Sequence, residues 1–217
     1  MYPSNPITRT SGARQVARLA TLGIAGAAYF AAAVIAQHFL RPDIDPVKYH
    51  MSGYAVGPYG FIMTSAFFAL ALGALALAAG LWQESVPSTH SKAGLILLAV
   101  FGAGVAVAGI FPADLQFPPQ TTSGTIHEIA SLAAFVSLLV AQILLSRKFR
   151  QDDRWRSFSR PALALALLAL VAFIGVFATA ETEFVGLSQR IYVAVFLAWL
   201  LLTAIRLRSA NTASSSA

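Results

Sequence analysis

Hydrophobic positions along the chain fall into six long blocks separated by short polar stretches, several of them rich in proline. The blocks run over about Val16–His38, Tyr59–Trp82, Ala93–Phe111, Thr125–Leu145, Pro161–Ala180 and Leu187–Ile205. A helix needs about 20 mostly apolar residues to cross about 30 Å of hydrocarbon, because each residue rises about 1.5 Å. The blocks match that length. They are too long for buried strands and lack the period-two alternation of a membrane barrel. Backbone polar groups in lipid must be satisfied within the segment. The pattern therefore predicts an all-α fold: a polytopic membrane protein whose six transmembrane helices form a bundle over residues 16–206, with disordered cytoplasmic tails at 1–15 and 207–217. The first block has basic residues ahead of it and small residues at Ala31–Ala33, as a secretory signal does, but its apolar run is longer than the usual 7–15 residues or so. It is read as an uncleaved first span.

Small residues recur inside the blocks: Gly23, Gly26 and Ala27 in the first, Gly73, Ala76 and Gly80 in the second, Gly102, Gly104 and Ala108 in the third. They let helix backbones approach closely where lipid supplies no hydrophobic drive. The same pattern suits contacts within one bundle or a homo-oligomer face.

Composition narrows the class further. Of 217 residues, 57% are hydrophobic and 11% charged, and mean hydropathy is +0.69. Soluble domains carry about 25% charged residues. So low a charge content excludes a soluble enzyme, a disordered chain and a nucleic-acid-binding domain. The absence of cysteine removes disulfides, thiolate metal sites and thiol nucleophiles. The net charge of +6 is a topological signal. With the N-terminus in the cytoplasm, twelve Lys and Arg residues lie on the inner side, and only Arg41, Lys48 and Arg190 on the outer. That bias places both termini in the cytoplasm and predicts a multi-pass protein of the cell inner membrane. The basic connection Arg147–Arg160 is expected to meet anionic head groups. Expected partners are membrane lipids and, on the small-residue pattern, a second copy or another membrane protein.

The chemistry gathers on the outer side. Three connections lie there: Phe39–Pro58, Pro112–Gly124 and Glu181–Gly186. Ionisable groups at a membrane boundary are costly unless paired or hydrated, which makes them candidates for function. His127 and Glu128 open the fourth span, Arg190 opens the sixth, Asp114 and Glu181 follow the third and fifth, and Ser52 and His50 lie in the first connection. Glu128 and Arg190 could form an interhelical ion pair, with Arg190 also available as an anion clamp. The leading expectation is a polar pocket formed by Ser52, Asp114, His127, Glu128, Glu181 and Arg190 that binds a lipid head group or small polar ligand. A metal-dependent hydrolase of lipids is an alternative, since His50, His127, Asp114, Glu128 and Glu181 are suitable zinc ligands, although no HExxH spacing exists. A structural or accessory subunit is another. Weaker options are a haem held by His38 and His127 and a Ser52–His127 hydrolase, which lacks a nucleophile elbow. No phosphate-binding or dinucleotide motif is present, and no cofactor or metal is assigned.

Two stretches repeat. Gly109-Ile110-Phe111 and Gly175-Val176-Phe177 each precede acidic residues and a Phe. The blocks Gly124–Ile129 and Gly186–Ile191 then align without gaps, matching His127 with Gln189 and Glu128 with Arg190. The third–fourth and fifth–sixth spans read as two similar hairpins packed side by side.

The order of motifs on the six spans is similar to a bacterial membrane family, domain of unknown function 998. The resemblance rests on Ser52-Gly53-Tyr54 with Gly57-Pro58-Tyr59-Gly60, on Gly109-Ile110-Phe111-Pro112-Ala113-Asp114, on Gly124 through His127, and on Gly186 through Gln189-Arg190. It covers about residues 15–206 and implies a membrane location without an established activity. It also implies that Ser52, Asp114, His127 and Arg190 are family-typical positions.

Overall fold

A computed structural model describes residues 6–84, 91–115 and 118–212. Among the described residues six α-helices carry the chain: α1 (Pro6–Leu40), α2 (Gly60–Glu84), α3 (Lys92–Ile110), α4 (Thr122–Lys148), α5 (Arg156–Ala178) and α6 (Val185–Thr212). All six are long and apolar enough to cross a membrane. A short 3₁₀ turn at Met51–Ala55 interrupts the connection between α1 and α2.

Local chemistry explains several boundaries. Ser91 and Thr121 stand just before α3 and α4, and their hydroxyls accept from the Gly94 and Gly124 amides at 3.2 and 3.0 Å. Each cap satisfies one of the donors that a helix start leaves open. Arg147 and Lys148 occupy the last turn of α4, where cations suit the helix dipole. Other ends run past the hydrophobic blocks. α1 begins at Pro6, so residues 6–15 are helix and not the expected disordered tail. Proline is favoured at a helix start because its missing N–H has no partner there anyway. α6 runs on to Thr212, into the tail expected from 207. Residues 1–5 and 213–217 lie outside the described residues. α5 starts at Arg156, which leaves Pro161 inside the helix, unable to donate to the Ser157 carbonyl.

The helices pack in chain order around a closed ring, α6 returning against α1. α2 is the most buried of the six and α5 the least. Small residues set the close approaches, as the sequence pattern suggested for contacts within one bundle. A Cβ on Gly26 would overlap the Ala69 carbonyl oxygen and come within 3.1 Å of the Gly73 Cα. A Cβ on Gly104 would come within 3.0 Å of the Ala130 carbonyl oxygen and 2.9 Å of the Ala134 side chain. Between the closely packed pairs the ring holds aromatic side chains. Tyr192 packs its ring against Phe135, Phe173 and Phe196 at 5.2, 5.1 and 5.4 Å, and Phe196 meets Phe101 at 5.7 Å. Edge-on and tilted pairs of this kind each contribute about 0.5–1.5 kcal/mol. The Tyr192 hydroxyl donates to the Phe135 carbonyl at 3.0 Å, so the polar tip of the cluster is satisfied.

The start of α1, the end of α2, the start of α3, the α4–α5 connection and the end of α6 share one end of the bundle. The α1–α2, α3–α4 and α5–α6 connections share the other, called the loop end below. Gly26→Ala should destabilise the α1–α2 contact by about 1–3 kcal/mol, the usual cost of overpacking. Gly12→Ala, with nothing within 4 Å of its added methyl group, should leave stability unchanged or slightly raised. Denaturant titration of the two variants in detergent checks the difference.

Candidate functional site

The first connection folds across the loop end and is tied down at both its own ends. Arg41 is only 5% exposed. It donates from Nη1 to the Val56 and Pro58 carbonyls at 2.6 and 3.1 Å, and from Nε and Nη2 to the Asp43 carboxylate at 2.8 and 2.7 Å. The guanidinium holds the Asp43 carboxyl below its ordinary range. The chain can turn here because Gly57 adopts φ +81°, a left-handed conformation that glycine takes without penalty, and an added Cβ there would lie 3.7 Å from the Arg41 guanidinium.

The start of α6 docks beneath this connection. A side chain at Gly186 would overlap the Tyr49 carbonyl and press on those of Pro46 and Val47 at 2.8 Å, so only glycine permits the approach. The Leu187 amide donates to the Val47 carbonyl at 3.0 Å. One turn on, Gln189 is buried and its Oε1 accepts from the Met51 amide at 2.7 Å. Arg190 donates through Nη1 to the Tyr49 and Gly186 carbonyls at 2.8 and 3.0 Å, and lies 5.5 Å over the Tyr54 ring. Its Nε donates to His38 Nε2 at 3.2 Å. His38 Nδ1 sits 2.6 Å from the Val34 carbonyl, which fixes the proton on Nδ1 and the lone pair on Nε2. The anticipated Glu128–Arg190 ion pair does not form. The bent first connection brings the Tyr49 carbonyl to the guanidinium, which donates also to the Gly186 carbonyl and to His38. His38, engaged at both ring nitrogens, is likewise not presented as a haem ligand.

Asp114 serves the start of α4. Its carboxylate accepts from the Gln120 and Thr121 amides at 2.7 and 2.8 Å and from the Thr121 hydroxyl at 2.9 Å. Those bonds favour the charged form and hold its pKa below the ordinary carboxylate range. A side chain at Gly124 would overlap the same carboxylate. One turn further on, His127 is 4% exposed, with Nδ1 2.9 Å from both the Ala108 and the Phe111 carbonyls at the end of α3. Two acceptors require Nδ1 to carry the proton, which leaves the lone pair on Nε2.

His127 also lines a cavity of about 190 Å³ to which all six helices contribute. Its walls are aromatic: Phe30, Phe67, Phe135, Phe173, Phe177 and Phe196. Its polar atoms gather toward the loop end, on His50, Ser52, His127, Glu128, Ser131 and Gln189. Burial lowers the pKa of His50, and the nearby Arg190 charge lowers it further, while Glu128 acts the other way. Three lining residues are also exposed: Glu128, Leu132 at 43% and Phe177 at 58%. They belong to α4 and α5, so the cavity opens sideways between those helices.

Of the expected site residues, Ser52, His127 and Glu128 share this cavity. Asp114 joins them and His50 only in an adjoining cleft of about 30 Å³. Arg190 is spent on the loop, and Glu181 is exposed in the last connection and lines neither space. Among the described residues, no three His, Asp or Glu side chains form a group that could hold a metal. Sequence reasoning missed Ser131, Gln189 and the aromatic wall. The alignment of Gln189 with His127 was a usable signal for one of them.

A ring of membrane-crossing helices closed around a cavity defines a polytopic membrane protein. The family model for domain of unknown function 998, a protein of unknown function, matches residues 24–206, and the chain belongs to that family. No curated protein and no solved structure gives a significant match.

Asp114→Ala should strip hydrogen-exchange protection from the Gln120 and Thr121 amides. Because the Asp114 pKa is lowered in the fold, the wild type should keep that protection at neutral pH. It should lose it only as the pH falls through the lowered pKa, below the ordinary carboxylate range. The variant should show no such acid step.

Proposed function

We propose that the protein binds a membrane amphiphile, with part of one hydrocarbon chain among the phenylalanines and the head group against His50, Ser52 and Glu128. The observation that carries this reading is the cavity itself, apolar in its depth, polar at one end, and open between α4 and α5 where a chain can enter from the bilayer. Size supports partial insertion. A cavity of about 150 Å³ holds a molecule such as benzene, so about 190 Å³ accepts a short stretch of a single chain. The rest would leave through the α4–α5 opening. This reading keeps the expectation of lipid binding but moves it from a purely polar pocket to an amphipathic one, and it removes Arg190 from the ligand.

The distribution of Lys and Arg supports an orientation with the loop end facing away from the cytoplasm. Head groups of the leaflet on that side would then reach Ser52 and Glu128 directly.

Val176→Trp tests the proposal. Val176 lies in the cavity wall on α5, the least buried helix, so an indole there should fill the space without disturbing the tight contacts of α1 and α2. Native mass spectrometry of protein released from membranes should show bound amphiphile in the wild type. Occupancy in Val176→Trp should fall by about tenfold or more, with the melting temperature little changed. Undiminished occupancy would exclude this cavity as the site.

A further inference from the structure

We infer that the head group received by this cavity carries an ammonium and not an anion, an inference that rests on the amphiphile reading above. The free polar atoms in the lining are mostly acceptors. Glu128 has no hydrogen bond or ion pair among the described residues, although it lines both the cavity and the adjoining cleft. His127 turns its proton toward the α3 carbonyls and keeps a lone pair at Nε2. Ser52 and Ser131 add hydroxyls that accept as readily as they donate. The clearest free donor is the Gln189 amide nitrogen, whose Oε1 is already bound to Met51.

Among the described residues, no lysine or arginine lines the cavity. The two arginines of the loop end are committed elsewhere. Arg41 is held by Asp43 and two carbonyls, and Arg190 by His38 and two carbonyls; its remaining Nη2 is buried without a hydrogen-bond partner, but Arg190 lines neither the cavity nor the cleft. His50, which could supply a cation, is held toward its neutral form by burial. A phosphate here would face the Glu128 carboxylate with no lysine or arginine in the lining to pair with it. An ammonium would gain a charge-assisted bond to that carboxylate and further acceptors behind it.

Three single-chain probes of equal length separate the possibilities: dodecylamine, dodecanol and dodecyl phosphate. Each is titrated calorimetrically at pH 7, where the amine is protonated, into the full chain in maltoside micelles. The wild type should bind dodecylamine about tenfold tighter than either of the others. Glu128→Gln should erase that preference while leaving dodecanol binding intact. Equal binding of all three, tighter binding of the phosphate, or a preference that survives Glu128→Gln would overturn the ammonium inference while leaving the cavity reading in place. Absence of saturable binding by any probe, or binding unchanged in Val176→Trp, would overturn both.

Discussion

Main-chain carbonyls in the first connection need donors, and two arginines, Arg41 buried and Arg190 half-buried, supply them. This interaction shapes the loop end. A connection that leaves one membrane helix and enters the next must satisfy its own polar groups, because a helix ladder no longer does so and lipid cannot. Arg41 closes the connection on itself by reaching Val56 and Pro58, and Arg190 fastens it to α6 through Tyr49. Hydrogen bonds from charged donors are worth about 1.5–3 kcal/mol each. A buried guanidinium deprived of its acceptors would be more costly still. The bonds thus hold the connection over the cavity, with His50, Ser52 and the Met51 amide at its polar end.

The two helix starts beside the cavity use one device with different partners. Gly124 and Gly186 each allow a helix to begin against loop atoms that a methyl group would overlap. Three residues later comes a buried polar side chain. His127 bonds the carbonyls that end α3, and Gln189 bonds an amide of the first connection. The repeat seen in the sequence therefore has a physical counterpart at these positions. It fails one helix earlier. Gly109 is packed against Phe67 and Phe68, whereas Gly175 has nothing within 4 Å. The looser surroundings belong to α5, on the side where the cavity opens.

Much of this was legible from the chain alone. Six apolar blocks of spanning length leave helices as the only way to satisfy the backbone, and polar residues at block ends drew attention to Ser52, His127 and Glu128. Helix ends were less legible. A helix does not stop where lipid stops, and nothing in residues 6–15 or 207–212 breaks it. The assumed Glu128–Arg190 pair was wrong because the partner of a side chain depends on the rotation of its helix and the path of the loop above it. Neither leaves a mark in the spacing of residues. The aromatic wall was hidden for a related reason. The chain has 15 phenylalanines, and only the packing of five separate helices selects the six that face the cavity.

The most direct measurement is the reactivity of a single thiol placed inside the cavity. The chain has no cysteine, so Ser131→Cys introduces a unique one in the lining. Its rate of alkylation by a small maleimide can be followed as a long-chain amphiphile is added. The thiol should react in the free protein and become protected in a saturable manner as the amphiphile binds. A thiol that never reacts, or one whose rate is untouched at saturating amphiphile, would contradict the existence of an accessible site for a hydrocarbon chain within this bundle.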